Sequence, residues 1–247
     1  MSEIIRLKCP AKINLTLDIL GKDELSGKHF VNTILYRDDN FFDEMVLTKS
    51  DTPENTISCE HPDVPTDRSN LALRALDVLG EGGWNVALQK HIPTGSGLGG
   101  GSSNAGVILR HFGKARGIPE LALREMAASL GSDVPFFTLE DNLAYCEGFG
   151  DQLVQAWSAD PLSIHYHQTG VCVSTAVAYA QLDLVYCGRR SGMTEALLLH
   201  LNQFGVLPGQ LQSYLHNDFE AGFFRTHSAL IGSGRLCGSG GMLWQLA

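Results

Sequence analysis

Two apolar spacings alternate along the 247-residue chain. From Pro10 to Gly21 the run P-A-K-I-N-L-T-L-D-I-L-G has period two. It places Ile13, Leu15, Leu17 and Ile19 on one face and Lys12, Asn14 and Thr16 on the other, which predicts a strand. Trp84 to Lys90 alternates in the same way. Leu71 to Leu79 reads as a helix after the Ser69-Asn70 pair, and a second apolar side, Val107, Ile108, Leu109 and Phe112, predicts a helix from about Asn104. A third stripe, Leu123, Met126, Ala127 and Leu130, begins after Pro119, which suits a first turn, and stops at Gly131. Beyond about Leu153, strand and helix signals mix.

Between the Trp84 strand and the Asn104 helix lies H-I-P-T-G-S-G-L-G-G-G-S-S-N-A, residues 91–105. Glycine has no Cβ, so such a loop can bring several backbone N–H groups against an anion, and the helix that follows adds the positive end of its dipole. The stretch is therefore a candidate phosphate cradle, with Ser102 and Ser103 able to cap the helix or donate hydroxyls. Gly95, Gly97 and Gly100 satisfy G-x-G-x-x-G, but a dinucleotide fingerprint should lead to a second strand, and another helical segment follows instead. No G-x-x-x-x-G-K-[ST] occurs, and the apolar flanks argue against a flexible linker.

Pro93 through Asn104 resembles the nucleotide-binding motif of the GHMP kinases. The resemblance implies an ATP-dependent phosphotransferase with an alcohol acceptor, in which Pro93, Thr94, Gly95, Ser96, Gly97, Leu98, Gly99, Gly100, Gly101, Ser102 and Ser103 wrap the ATP phosphates. P-A-K-I-N-L is similar to the family's first signature, which makes Lys12 a catalytic candidate and places Asn14 beside the acceptor alcohol. Taken alone, the Lys12 face of that strand could equally be solvated. Gly131-Ser132-Asp133-Val134-Pro135-Phe136-Phe137 resembles the family's G-A-D-V-P-F-F, which implies that Asp133 accepts the proton of the substrate hydroxyl, although a lone aspartate after glycine is ordinarily a turn residue. Phosphoryl transfer needs charge neutralisation, in-line positioning and a group that orients the nucleophile, and these segments offer a candidate for each. Mg2+ is implied with the ATP, with Ser102 or Ser103 as a hydroxyl ligand to nucleotide or metal and no dedicated protein metal site. Leu236 to Trp244 resembles the closing glycine turn that lies near the phosphate loop; Gly232-Ser233-Gly234 competes with it, and the later turn is preferred for its strand-like tail.

The form G-L-G-G-G-S-S-N is most similar to the branch that phosphorylates the 2-hydroxyl of a methylerythritol carrying a cytidine diphosphate, an isoprenoid precursor outside the mevalonate route. In that branch a G-Y-H segment meets the cytosine; here it reads Gly27-Lys28-His29, which keeps the histidine and loses the aromatic ring. Tyr179, in S-T-A-V-A-Y, corresponds to the opposite wall of that pocket, though both His29 and Tyr179 could be ordinary packing. Asn70 corresponds to an asparagine near the adenine, where helix capping explains it equally well. Lys90 corresponds to a lysine bordering the adenine, or is a surface charge. Glu147-Gly148-Phe149-Gly150-Asp151 and Asn217-Asp218-Phe219-Glu220 resemble structural segments of the branch. Two other readings stay open: a GHMP kinase of homoserine or mevalonate type, and a nucleotide-binding homologue without catalysis.

The resemblance implies an α+β, two-lobed fold with a ferredoxin-like C-terminal lobe and the active site between lobes. The expected division is an ATP-binding lobe at 1–153 and a C-terminal lobe at 154–247. A net charge of −9 argues against nucleic acid, whose affinity comes from Lys and Arg on phosphates. No apolar run approaches the roughly 18 residues of a membrane span and no signal-peptide pattern opens the chain, so a cytoplasmic monomer or homodimer with a small-molecule substrate is expected. Cys9, Cys59, Cys146, Cys172, Cys187 and Cys237 lack C-x-x-C spacing and read as free thiols. His165-x-His167 has no further ligands nearby in the sequence to make a metal site.

Overall fold

The alternation that begins near Pro10 belongs to a longer strand. In the computed structural model, which describes residues 3–171, 173–183 and 191–247, β1 runs Ile4–Lys22 and β2 His29–Lys49. They are followed by β3 (Thr56–Cys59), α1 (Leu71–Leu79), β4 (Trp84–Gln89), α2 (Gly100–Ala115) and α3 (Glu120–Leu130). A 3-10 turn at Pro135–Thr138 leads into β5 (Leu143–Glu147), β6 (Gln152–Trp157), β7 (Ile164–Gln168), α4 (Thr175–Asp183), α5 (Met193–Phe204) and α6 (Pro208–Leu211). The chain ends with β8 (His216–Asn217), α7 (Phe219–Thr226), β9 (Arg235–Leu236) and β10 (Met242–Leu246). The class is α+β.

The chain forms two compact units. Met1–Ala11, Asp38–Thr94 and Gly99–Glu140 make the first, and Lys12–Arg37, Gly95–Leu98 and Asp141–Ala247 make the second. They interleave along the sequence because β1 and β2 each run through both.

In the first unit β3 lies parallel to β4, and β4 is antiparallel to the second half of β2. Trp84, Val86 and Leu88 of β4 are buried while Asn85, Ala87 and Gln89 face out, as period two requires. These side chains share a core with Met45, Leu47, Leu76, Ile108 and Leu109, and the Trp84 and Phe112 rings meet edge to face at 5.4 Å. Burial at this depth stabilises by roughly 1.5–3 kcal/mol per large apolar side chain. The helix α1 matches its expected span and is capped by Asn70, whose Oδ1 accepts the Ala72 N–H. The helix α3 starts one residue after Pro119 and stops at Gly131, as its punctuation indicates. The α2 start differs from expectation: it lies at Gly100 rather than near Asn104. Gly100, Gly101, Ser102 and Ser103 have too little helix propensity to be read as helix locally. Packing is close at Gly100, where a Cβ would fall 2.8 Å from Lys90 Nζ and 3.2 Å from Ile92 Cγ2, whereas one on Gly101 would meet Leu71 Cδ1 at an ordinary 3.7 Å.

In the second unit β8 is parallel to β1, β5 is antiparallel to the first half of β2, and β6 closes a hairpin on β5. The hairpin turn is the E-G-F-G-D segment, with Gly148 and Gly150 at φ 69° and 90°. A separate antiparallel sheet has the order β7-β10-β9. Leu17, Ile19, Val31, Phe219, Phe223, Leu236 and Leu243 form the core here, with α4 against α7. The polar face of β1 is not solvated: Lys12, Asn14, Thr16 and Asp18 are all at most 5% exposed. Buried polar groups need partners, and this face has them.

Among the described residues no helix is long and apolar enough to cross a membrane. Cys9, Cys59, Cys146 and Cys237 are free thiols; Cys172 and Cys187 lie outside the described residues.

Candidate active site

The glycine loop enters α2 through Gly95, Gly97 and Gly99, at φ 68°, 82° and 73°, a left-handed backbone that favours glycine. Gly99 is the N-cap and supplies no side-chain hydrogen bond; the first intrahelical bond runs from Ser103 N to Gly99 O at 2.8 Å. The N–H groups of Gly100, Gly101 and Ser102 therefore have no intrahelical acceptor. Whereas α1 spends a side chain on its N-terminus, α2 has no side-chain cap, an arrangement that suits an anion. Ser102 and Ser103 lie inside the first turn and cap nothing. The Ser103 hydroxyl is buried and has no hydrogen-bond partner among the described residues, an expense a packed interior rarely tolerates without a ligand or a rearrangement.

The loop tip is clamped in the second unit. The Lys12 N–H donates to Leu98 O at 2.9 Å. A Cβ on Gly97 would lie 1.8 Å from Cys237 O, and one on Gly240 would lie 2.2 Å from Ser96 C, so the closing turn and the loop pack backbone on backbone. The turn that meets the loop is thus Gly238 to Gly241, whereas a Cβ on Gly232 would meet nothing. Lys12 Nζ donates to Asn14 Oδ1 at 2.9 Å, Asn14 Nδ2 donates to Thr33 Oγ1 at 2.8 Å, and Thr33 Oγ1 donates to Thr16 O at 2.7 Å. A Cβ on Gly238 would sit 3.4 Å from both Lys12 Nζ and Asn14 Oδ1. Lys12, Asn14, the loop tip and the closing turn form one cluster. Burial pushes the Cys237 thiol well up, against the opposing pull of the Lys12 ammonium, so this sulfur is a packing group rather than a nucleophile.

Asp133 belongs to the first unit, on the bend between α3 and the 3-10 turn. The segment after it is pressed on α2, where a Cβ on Gly106 would lie 2.5 Å from Phe137 Cβ and 2.8 Å from Val134 O. Asp133 is thereby fixed to the helix that carries the loop. Lys90 is not a solvated surface charge: its Nζ donates to Asp43 Oδ2 at 2.5 Å, and the two side chains are 6% and 0% exposed. It also borders a cavity of about 1240 Å³ lined in part by Leu7, Met45, Cys59, His61 and Leu88. Asn70 donates to Pro65 O as well as capping α1, so its amide is occupied at both ends.

In the second unit the structure brings His29 and Tyr179 together with ring centroids 4.3 Å apart and planes 16° from parallel. Rings in direct stacking contact leave no slot for a third between them. Tyr179 also meets Phe219 edge to face. Lys28 lies over the Phe149 ring at 5.3 Å, and Phe149 stacks on the half-exposed Phe30 at 5.0 Å.

Sequence reasoning passed over Asp43 and Thr33, and took Phe149 only as part of a structural turn. A signal existed for Asp43: it lies in phase with Met45 and Leu47, the buried face of β2, where a carboxylate must be paired.

Residues 70–141, from the cap of α1 through the bend at Asp133, match the GHMP kinases N terminal domain; the class is that of the GHMP small-molecule kinases, which use ATP. A 4-diphosphocytidyl-2-C-methyl-D-erythritol kinase from Desulfotalea psychrophila is 32% identical over 225 residues, covering 87% of this chain and 73% of that protein. The crystal structure of a 4-(cytidine 5'-diphospho)-2C-methyl-D-erythritol kinase superposes with a TM-score of 0.70 at 28% identity, covering 98% of this chain and 90% of the other. Homoserine kinase from Cytophaga hutchinsonii shares the fold, with a TM-score of 0.65 at 20% identity over 100% of this chain and 86% of the other. The chain belongs to the 4-diphosphocytidyl-2-C-methyl-D-erythritol kinase family of GHMP kinases.

Proposed function

We propose that this protein transfers the γ-phosphoryl group of ATP to the 2-hydroxyl of 4-diphosphocytidyl-2-C-methyl-D-erythritol. The observation that carries the reading is the start of α2, where uncapped N–H groups meet a glycine backbone that admits no side chain. These N–H groups hold the ATP phosphates, with Pro93 to Ser103 as the wrap, and the cavity beside Lys90 takes the base near Asn70. The acceptor oxygen attacks the γ-phosphorus, the bond to the bridging oxygen of ADP breaks, and the hydroxyl proton passes to the Asp133 carboxylate. Lys12, aligned by Asn14, offsets the negative charge on the migrating group. Because a carboxylate is a weak base for an alcohol, the proton moves late.

The residues present fit Mg2+ carried in by ATP rather than a cage of carboxylates, since the Ser103 hydroxyl is unspent while Asp43 is fully engaged. Bound there, Mg2+ would neutralise phosphate charge. The net charge of −9 supports a small-molecule partner rather than nucleic acid; a cytoplasmic monomer or homodimer is part of the same proposal.

Two observations favour keeping a second acceptor in view: Lys28 replaces the aromatic of the cytidine-binding segment, and the His29–Tyr179 stack is closed. ADP release with ATP and Mg2+ tests both readings, using the cytidine-bearing acceptor beside homoserine, mevalonate and galactose. Turnover with the first alone is expected. Turnover with another alcohol would move the acceptor and keep the mechanism, and ATP binding without any turnover would favour a non-catalytic homologue.

A further inference from the structure

Asp43 has no place in the glycine motif or the catalytic pair, yet it is fully buried and accepts four hydrogen bonds from the two ends of the loop. Its Oδ1 accepts the backbone N–H groups of His91 at 2.8 Å and Ile92 at 2.9 Å, the residues that enter the loop. Its Oδ2 accepts from Lys90 Nζ at 2.5 Å and from Asn104 Nδ2 at 3.2 Å, the latter in the second turn of α2. Asn104 is itself buried, and its side chain also hydrogen-bonds the Cys9 thiol on β1. One carboxylate on β2 therefore joins the exit of β4 to the start of the helix, across the segment whose N–H groups face the phosphates. Lys90 lies directly beneath the first helical residue, where a Cβ on Gly100 would approach its Nζ to 2.8 Å.

We infer that Asp43 is a positioning residue for nucleotide binding: it sets the separation and direction of the two loop roots, and through them the aim of the N–H groups at the start of α2. The inference rests on the kinase reading above. An N–H cradle works by being held before the anion arrives; a loop whose roots drift by an ångström loses alignment of several donors together. The Lys90 ammonium compensates the buried carboxylate. Its charge is thus engaged in building the loop before any nucleotide binds. The four hydrogen bonds of the node all lie within the first unit, while Asn14, His29 and Tyr179, the proposed acceptor residues, belong to the second, so the acceptor KM serves as the control.

The test uses two variants of the full-length protein. Asp43→Asn removes the charge that Lys90 and Asn104 meet while keeping an oxygen for His91 and Ile92. Asn104→Ala removes the helix-side bond to Asp43, together with the bond to the Cys9 thiol, and leaves no charge unpaired. ATP affinity is titrated directly and KM is measured for ATP and acceptor, with circular dichroism and melting as folding controls. The expected result is a rise in ATP Kd and KM of about tenfold or more for Asp43→Asn and of several-fold for Asn104→Ala, with acceptor KM within twofold of wild type. Wild-type ATP affinity in both folded variants, or equal losses for ATP and acceptor, would overturn the assignment. If Asp43→Asn does not fold, Asn104→Ala decides by the same criterion. Failure of the wild-type protein to bind ATP would instead overturn the kinase reading.

Discussion

At the scale of single residues the proposed chemistry centres on Asp133. An aspartate two residues after a glycine looks like any turn residue, and the contact at Gly106, with the Arg110 hydrogen bond to Leu139 O, shows that the segment after Asp133 is fastened to α2. As a proposed base, it acts on the proton and not on the nucleotide. Asp133→Asn is expected to leave ATP affinity within about twofold and to lower kcat by roughly 10²–10⁴-fold. A variant that turns over at the wild-type rate would remove Asp133 from this role. Lys12 illustrates the opposite limit of legibility: its place on a strand follows from alternation, but whether that face is wet does not. A polar stripe beside an apolar one reads as solvated until a second layer covers it, and here Asn14, Thr33 and Thr16 relay the buried lysine into the backbone.

Elements meet in the second unit at a cluster that the sequence placed in three separate segments. Asp18 on β1 accepts from Ser191 and Thr194 at the start of α5, and Asp218, beside β8, accepts the Ile19 N–H and pairs with His216 at 2.9 Å. Burial alone would lower the His216 pKa, but the hydrogen bond and charge of Asp218, with Asp18 and Glu220, raise it above the ordinary value of 6.5. Glu220 is in turn paired with Arg235. The folded state binds this proton more tightly than the unfolded chain. Its stabilisation is therefore complete below about pH 6.5 and is lost as pH rises through the higher folded value. For Asp18, burial raises the pKa, and the bonds from Ser191 and Thr194 more than reverse it, so its contribution holds above the ordinary 3.8 and is lost as pH falls through the lower folded value. His216→Gln should cost about 1 kcal/mol at pH 5.5, a loss of about 2–4 °C in Tm. The difference should shrink toward pH 9, and paired melts across that range check it. A difference that stays constant with pH would show that His216 acts by packing alone. The N-D-F-E segment was legible as structural, but its partners on β1 and α5 were not, because nothing in local spacing links residues almost two hundred positions apart.

The whole molecule has two compact units threaded by β1 and β2 and a net charge of −9, so on the proposed function the positive potential for a triphosphate comes from local groups such as helix-terminal backbone dipoles rather than from the surface at large. A ligand that binds only the folded chain stabilises it by mass action. ATP with Mg2+ at about 100 times Kd should add about 2.7 kcal/mol and raise Tm by several degrees. An unchanged Tm at saturating ATP would contradict a preformed phosphate cradle. The sequence by itself determined the spans of α1 and α3, the alternation of β1 and β4 and the glycine loop, which follow from local rules: period, punctuation and the freedom of glycine. The α+β class and the residues of the proposed chemistry came from the resemblance of its motifs to those of the GHMP kinases. Tertiary structure alone decided that α2 starts at Gly100, that the closing turn interlocks with the loop tip, that His29 and Tyr179 stack, and that Asp43 binds both loop roots. Each of these depends on a close approach between segments distant in the chain, where the free energy of burying and pairing polar groups, not local preference, selects the arrangement.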